Sequence, residues 1–248
     1  LLIQPKVDSV DYASFRATVK QLQPDLIWVN SYSMILHQDV LSAARLGGIN
    51  THGAMLPKYR GCNPTQWAIL NGETEAGVTM HEMSAGLDEG AIIDQLAVPL
   101  FFEDTWQTAN GRISIATDEL ISANLPNILA GDWKAKQQDI RQASYCRRRT
   151  PDDGLFDWTQ PVVDIYNRIR ALLPPLPPAF YLDTSGKKMF MDRQLTPFAV
   201  TTLKYGPEGM GGGVIANQVR LRPLRKEDSA LLYDWITSRE TMIFNAPF

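Results

Sequence analysis

A chain of 248 residues can bury a sizeable core and has room for one large domain or two modest ones. Its 24 Lys and Arg are outnumbered by 27 Asp and Glu, and the net charge of −3 excludes the basic surface that broad nucleic-acid binding needs. With 44% hydrophobic and 21% charged residues the composition is that of an ordinary globular protein, and no apolar run reaches the roughly 18 residues of a membrane span.

The chain opens at Leu1 without an initiator Met, so residues are expected to precede it. Tyr12, Phe15, Val19 and Leu22 recur at helical intervals, which predicts a helix over 11–22, ended by Gln23-Pro24-Asp25. Leu26–Val29 is a short apolar run of the buried-strand kind, and Val40–Leu46 predicts a helix closed by Gly47-Gly48. A strand then leads into Ile49-Asn50-Thr51-His52. Thr65–Asn71 is helical, Gly77–Met83 and Gly90–Leu100 are strands, and Thr105–Leu129 is a long helix ending near Gly131. Strands alternating with helices predict an α/β fold, a Rossmann-like open and mostly parallel sheet. Beyond the turn-rich Thr150–Gly154, Val162–Leu173 is a helix stopped by prolines, and Ala179–Leu182 with Met189–Met191 flank a hairpin turn. We expect a catalytic domain over 1–150, a helix–hairpin subdomain over 151–206, a Gly-rich linker over 207–216 and a further domain beginning over 217–248. Cys62 and Cys146 have neither disulfide-framework nor metal-site spacing, and they fit a reducing cytoplasm.

Chemistry concentrates between Asn50 and Gly90. On an extended strand, residues two apart project to one face, so the Asn50 amide and the His52 imidazole enter one space at the end of the sheet, where open α/β sheets place ligands. Asp88 lies in Gly86-Leu87-Asp88-Glu89-Gly90, a loop tight enough to return its carboxylate to that crevice. Acyl transfer to an amine needs an oxyanion donor, a proton shuttle and a carboxylate to orient it, and these three residues supply one of each. Taken alone, an Asn-x-His is more often a cap or turn, and an Asp between glycines more often a turn residue. His81 is expected to be a buried, hydrogen-bonded strand histidine, and His37 to face solvent.

The surrounding text is more specific. Asn50–Gly61, Asn63–Thr74, Gly77–Met83 and Leu87–Ile92 together resemble the signature of the 10-formyltetrahydrofolate-dependent formyltransferases. The resemblance implies an active enzyme with catalytic Asn50, His52 and Asp88, and 10-formyltetrahydrofolate as co-substrate. It implies a folate pocket drawn from Met34, Ile35 and Leu36 and from the loop residues Met83, Ala85, Gly86 and Asp88, with no metal. Lys58 and Arg60, in the signature loop, are expected to hold the substrate's diphosphate, and Arg149 and Arg170 are weaker candidates. Arg148–Gly154, Trp158, Ile165–Leu173 and Ala179-Phe180 resemble the sugar-nucleotide branch. The implied acceptor is then a nucleotide-linked amino sugar, and the implied partners include neither membrane nor nucleic acid, with a homodimer left open. A methionyl-tRNA type of enzyme, a formyl hydrolase and a non-catalytic folate-binding module are the alternatives. Val219–Leu224 with Glu227–Trp235 resembles the opening of GNAT-type acetyltransferases.

Overall fold

The computed structural model describes residues 2–32 and 34–211. Residues Leu1–Pro197 make one compact unit and a second begins at Phe198. In the first unit, helix α1 (Tyr12–Leu22) buries Tyr12, Phe15 and Val19 against Val40, Ile27 and Leu36, as their spacing requires. Gln23, in the left-handed region at φ +47°, closes it by donating to the Lys20 carbonyl. Strand β1 (Ile27–Asn30) follows, then α2 (Gln38–Leu41), shorter than expected because the chain over Ser42–Gly47 tightens into turns. Next come β2 (Gly48–His52), a two-residue β3 (Arg60–Gly61) and α3 (Pro64–Leu70), with Pro64 at its start, where the missing N–H costs nothing.

Strands β4 (Glu75–Glu82) and β5 (Ile92–Pro99) complete a four-stranded sheet of order β1-β2-β4-β5. The α/β class holds. Within this sheet β1 and β2 pair in parallel, and β2/β4 and β4/β5 run antiparallel. For β4 and β5 the reversal follows from the connection, a single loop without the crossover helix that parallel neighbours need. Helix α4 (Trp106–Ala130) packs on β4 and β5. Thr105 and Thr108 exchange side chain-to-backbone hydrogen bonds at its start, and Gly131 at φ +71° ends it.

The two-residue β6 (Tyr145–Cys146) runs parallel to β3. Helix α5 (Val162–Ala171) packs on α3 with Ile165 and Ile169 fully buried, and β7 (Ala179–Leu182) with β8 (Lys188–Met191) forms the hairpin. This helix and hairpin, the subdomain expected from residue 151, lie within the unit that runs to Pro197. The joint is well made. Trp106 Nε1 donates to the Leu173 carbonyl at 2.8 Å, and the Tyr166 hydroxyl to the Phe102 carbonyl at 3.0 Å. Helix α6 (Pro197–Gly211) runs through residues 207–211 of the expected linker. The rest of that linker and the acetyltransferase-like stretch lie outside the described residues. Among the described residues, no helix is long and apolar enough to cross a membrane.

Candidate active site

Two strands and two loops build the site. The antiparallel register of β2 and β4 sets Asn50 directly opposite His81, and His52 two residues further along the same face. Asn50 Nδ2 lies 3.2 Å from His81 Nε2. The His81 Nδ1–H donates to the Glu82 carbonyl at 2.8 Å, which leaves Nε2 as the acceptor for Asn50. After β2 the chain is pinned to β4. The Thr79 hydroxyl donates to the Ala54 carbonyl at 2.6 Å and accepts from Leu56 N at 3.0 Å and Gln95 Nε2 at 2.7 Å. Tyr59 then takes φ +59°, and its carbonyl meets His52 Nε2 at 2.8 Å.

The loop between β4 and β5 brings in Asp88, itself at φ +52°. Gly90 makes the return possible, since a Cβ there would fall 1.7 Å from the Glu82 carbonyl oxygen. Oδ1 of Asp88 accepts from Asn50 Nδ2 at 3.3 Å and lies 3.6 Å from His81 Nε2. Oδ2 accepts the Gly61 amide at 2.8 Å and lies 3.5 Å from His52 Nδ1. Gly61, at φ +103°, leaves no room for a side chain, because a Cβ would sit 2.4 Å from the Cys146 carbonyl oxygen.

Burial, opposed by the charge of Asp88, holds the His52 ring below its ordinary value of 6.5. Burial also pushes the Asp88 carboxyl up, but the His81 ring, the charge of His52 and the Gly61 amide outweigh it and hold the group below the usual carboxylate range. The cluster therefore pairs a carboxylate that stays ionised with an imidazole that is slow to charge. His81, expected as a strand histidine, is buried and hydrogen-bonded, and it also closes the cluster. The cross-strand register brings it there, and no local pattern announces that register.

The other expected site residues are placed differently. Met34 and Ile35 are exposed ahead of α2, and the Ile35 carbonyl accepts from Gln4 Nε2 at 3.0 Å. Leu36 borders a hollow of about 310 Å³ with Asn30 and Tyr32. Met83, Ala85 and Gly86 lie in the Asp88 loop, and Ala85 is open to solvent. Lys58 is exposed. Arg60 is not available to a diphosphate: it is 2% exposed and spends its donors on Gln138 and Tyr145. Arg170 is likewise buried, donating to Asn167 Oδ1 and to the Phe101 and Asp104 carbonyls. The Arg149 guanidinium is half-buried, and burial lowers its pKa. Beside Leu87 opens a hollow of about 460 Å³ lined by Trp67, Asn71, Tyr145, Cys146 and Arg147. The Arg147 guanidinium stands 5.4 Å over the Trp67 ring and pairs with Asp153.

Residues 6–125 match the family described as formyl transferase, and residues 148–200 match the formyl transferase C-terminal domain. The chain is 39% identical over 173 residues to the bifunctional polymyxin resistance protein ArnA of Wigglesworthia glossinidia brevipalpis. That alignment covers 69% of this chain and 25% of the relative, so the chain spans about a quarter of the length of this curated relative. Among solved structures, an N-formyltransferase from Helicobacter canadensis in complex with folinic acid and dTDP-3-aminofucose is 27% identical, with a TM-score of 0.52 over 58% of this chain and 53% of that one. A 4-N formyltransferase from Francisella tularensis, at 20% identity, shares the fold with a TM-score of 0.64 over 75% of this chain and 80% of that one.

Proposed function

The chain belongs to the formyl transferase family, and from that membership we propose that it moves a formyl group from 10-formyltetrahydrofolate to the primary amine of a nucleotide-linked deoxyamino sugar. One observation carries the proposal: Asn50 and His52 converge on the carboxylate of Asp88, each within 3.5 Å of it. The sugar-nucleotide acceptor draws support from the 39% identity to ArnA and from the likeness to an N-formyltransferase crystallised with dTDP-3-aminofucose. A cytoplasmic setting accords with two free thiols.

The residues present fit a folate. Met34 and Ile35 hold apolar side chains at the surface, 37% and 62% exposed, where a flat ring could cover them. The loop over 83–87 leaves Ser84, Ala85 and Leu87 exposed beside Asp88. 10-Formyltetrahydrofolate would supply the formyl carbon; the rest falls to the chain's own side chains.

His52 is the proton carrier. Its Nε2–H donates to the Tyr59 carbonyl, so the free lone pair is on Nδ1. With its pKa held down by burial, the ring is neutral at neutral pH and ready to accept a proton from the attacking amine. This differs from a resident imidazolium, the simplest role for a histidine beside a carboxylate. Once charged, Nδ1–H faces Asp88 Oδ2, 3.5 Å away, and the carboxylate stabilises it. Asn50 stabilises the negative charge that develops on the formyl oxygen. Its Nδ2 carries two hydrogens; His81 accepts one at 3.2 Å, and the other makes a 3.3 Å contact to Asp88, so it can turn to the oxygen. His52 then returns its proton to the leaving nitrogen.

The hollow of about 460 Å³ beside Leu87 is the natural place for the acceptor, with Trp67 and Tyr145 as flat walls and Arg147 as a cation. Incubation with 10-formyltetrahydrofolate and a panel of nucleotide-linked amino sugars, followed by mass spectrometry, tests the assignment. The expected result is one sugar nucleotide gaining a formyl group. Formate released with no acceptor modified would point to a hydrolase instead.

A further inference from the structure

Asp88 sits at φ +52°, a conformation that a non-glycine residue keeps only when its surroundings enforce it. Its carboxylate is held by the site, but its main chain is held by a side chain 50 residues away. Gln138 Nε2 donates to the Asp88 carbonyl at 2.8 Å and to the Gly90 carbonyl at 2.7 Å, so both hydrogens of one carboxamide clamp the two ends of the turn. The amide cannot be reversed, because its Oε1 accepts from Arg60 Nε at 3.1 Å and Nη2 at 2.7 Å. Arg60, 2% exposed, extends the grip: Nη1 donates to the Tyr145 hydroxyl at 2.8 Å and lies 3.4 Å from Glu89 Oε1. The Tyr145 hydroxyl donates in turn to Glu89 at 2.8 Å. Three consecutive residues of the loop, Asp88, Glu89 and Gly90, are thus tied to one buried guanidinium. The residue after Arg60 is Gly61, whose amide meets the Asp88 carboxylate.

We propose that Arg60 and Gln138 are a positioning pair that holds Asp88 against the Gly61 amide and the His52 ring. Neither side chain faces the reacting atoms; both act through Asp88. The kinetic part of the claim rests on the formyl-transfer reading, and the structural part does not.

The test is Gln138→Glu. It keeps the size of the side chain and its bond to Arg60 but replaces the donor group by an acceptor aimed at two carbonyl oxygens. The expected kcat is ten- to a hundredfold lower, roughly the range for a misplaced catalytic group, with KM for 10-formyltetrahydrofolate within about twofold. The acid limb of the pH–rate profile should move down, because His52 loses the nearby Asp88 charge that favours its protonated form. Independently of activity, the Gly61 amide hydrogen should exchange about tenfold faster by NMR, as expected for one hydrogen bond lost. Gln138→Met, neutral and of similar length, should behave alike and serves if the charged variant does not fold. Wild-type kcat and unchanged Gly61 exchange in the folded variants would overturn the proposal. A wild-type protein that transfers no formyl group would instead defeat the functional reading, and the Gly61 exchange rate would still decide the positioning claim.

Discussion

Replacing Asp88 by Asn is the most informative single change at this site. The side chain keeps its shape, and Asn accepts a left-handed backbone better than most residues, so φ +52° survives the substitution. What is lost is a charge 3.5 Å from His52 Nδ1. At an effective dielectric of ~20, a full charge pair at that separation is worth at most about 5 kcal/mol. Relaxation of neighbouring groups reduces this, and we take about 3 kcal/mol as the support given to His52 when it carries the proton. That is roughly a hundredfold in rate. Steady-state formyl transfer, followed by product mass, should show kcat down by about this factor with KM for both substrates little changed, because the charge matters only once His52 is protonated. A kcat for Asp88→Asn within threefold of wild type would refute the reasoning.

Other outcomes follow from the same geometry. Asn50→Ala should cost about 3–4 kcal/mol in the barrier, read as a kcat loss with folate binding retained. The pH dependence of stability has a defined sign. His52 has a folded-state pKa below its ordinary value of 6.5, so its contribution is fully present above that value and is lost as pH falls towards the folded pKa. The melting temperature should therefore be flat above neutrality and decline on acidification, and His52→Gln should remove part of that decline. Gly61→Ala should destabilise the protein by about 2–3 kcal/mol in urea unfolding, because its backbone is left-handed and a Cβ meets the Cys146 carbonyl. Arg170→Ala should cost about 3 kcal/mol of stability through its stranded carbonyl partners, and activity per folded molecule should be unchanged.

What could be read from the sequence divides along physical lines. The pairing of Asn50 with His52 is a two-residue repeat on one strand, and the Asp88 turn is written in its flanking glycines; both are local. The partners that complete the site are not. His81 reaches Asn50 through the register of β2 against β4, and Gln138 reaches the Asp88 loop across 50 residues of chain. Arg60 reads as an exposed cation in a signature loop, yet Gln138 and Tyr145 draw it inside. Strands β3 and β6, two residues each, are too short to carry a periodicity. The Gly-rich stretch over 209–213 reads as a flexible joint, and α6 nevertheless continues to Gly211.

The central claim is that Asn50 and His52 together perform the transfer that Asp88 supports. Single-turnover formyl transfer to the preferred sugar nucleotide, measured for wild type and for the Asn50→Ala/His52→Ala double variant with folate binding checked in the same samples, tests it most directly. The account predicts a double variant that binds folate within about threefold of wild type and transfers at least ~10⁴-fold more slowly, as expected when residues acting as a unit are removed. A double variant transferring within tenfold of wild type would contradict it.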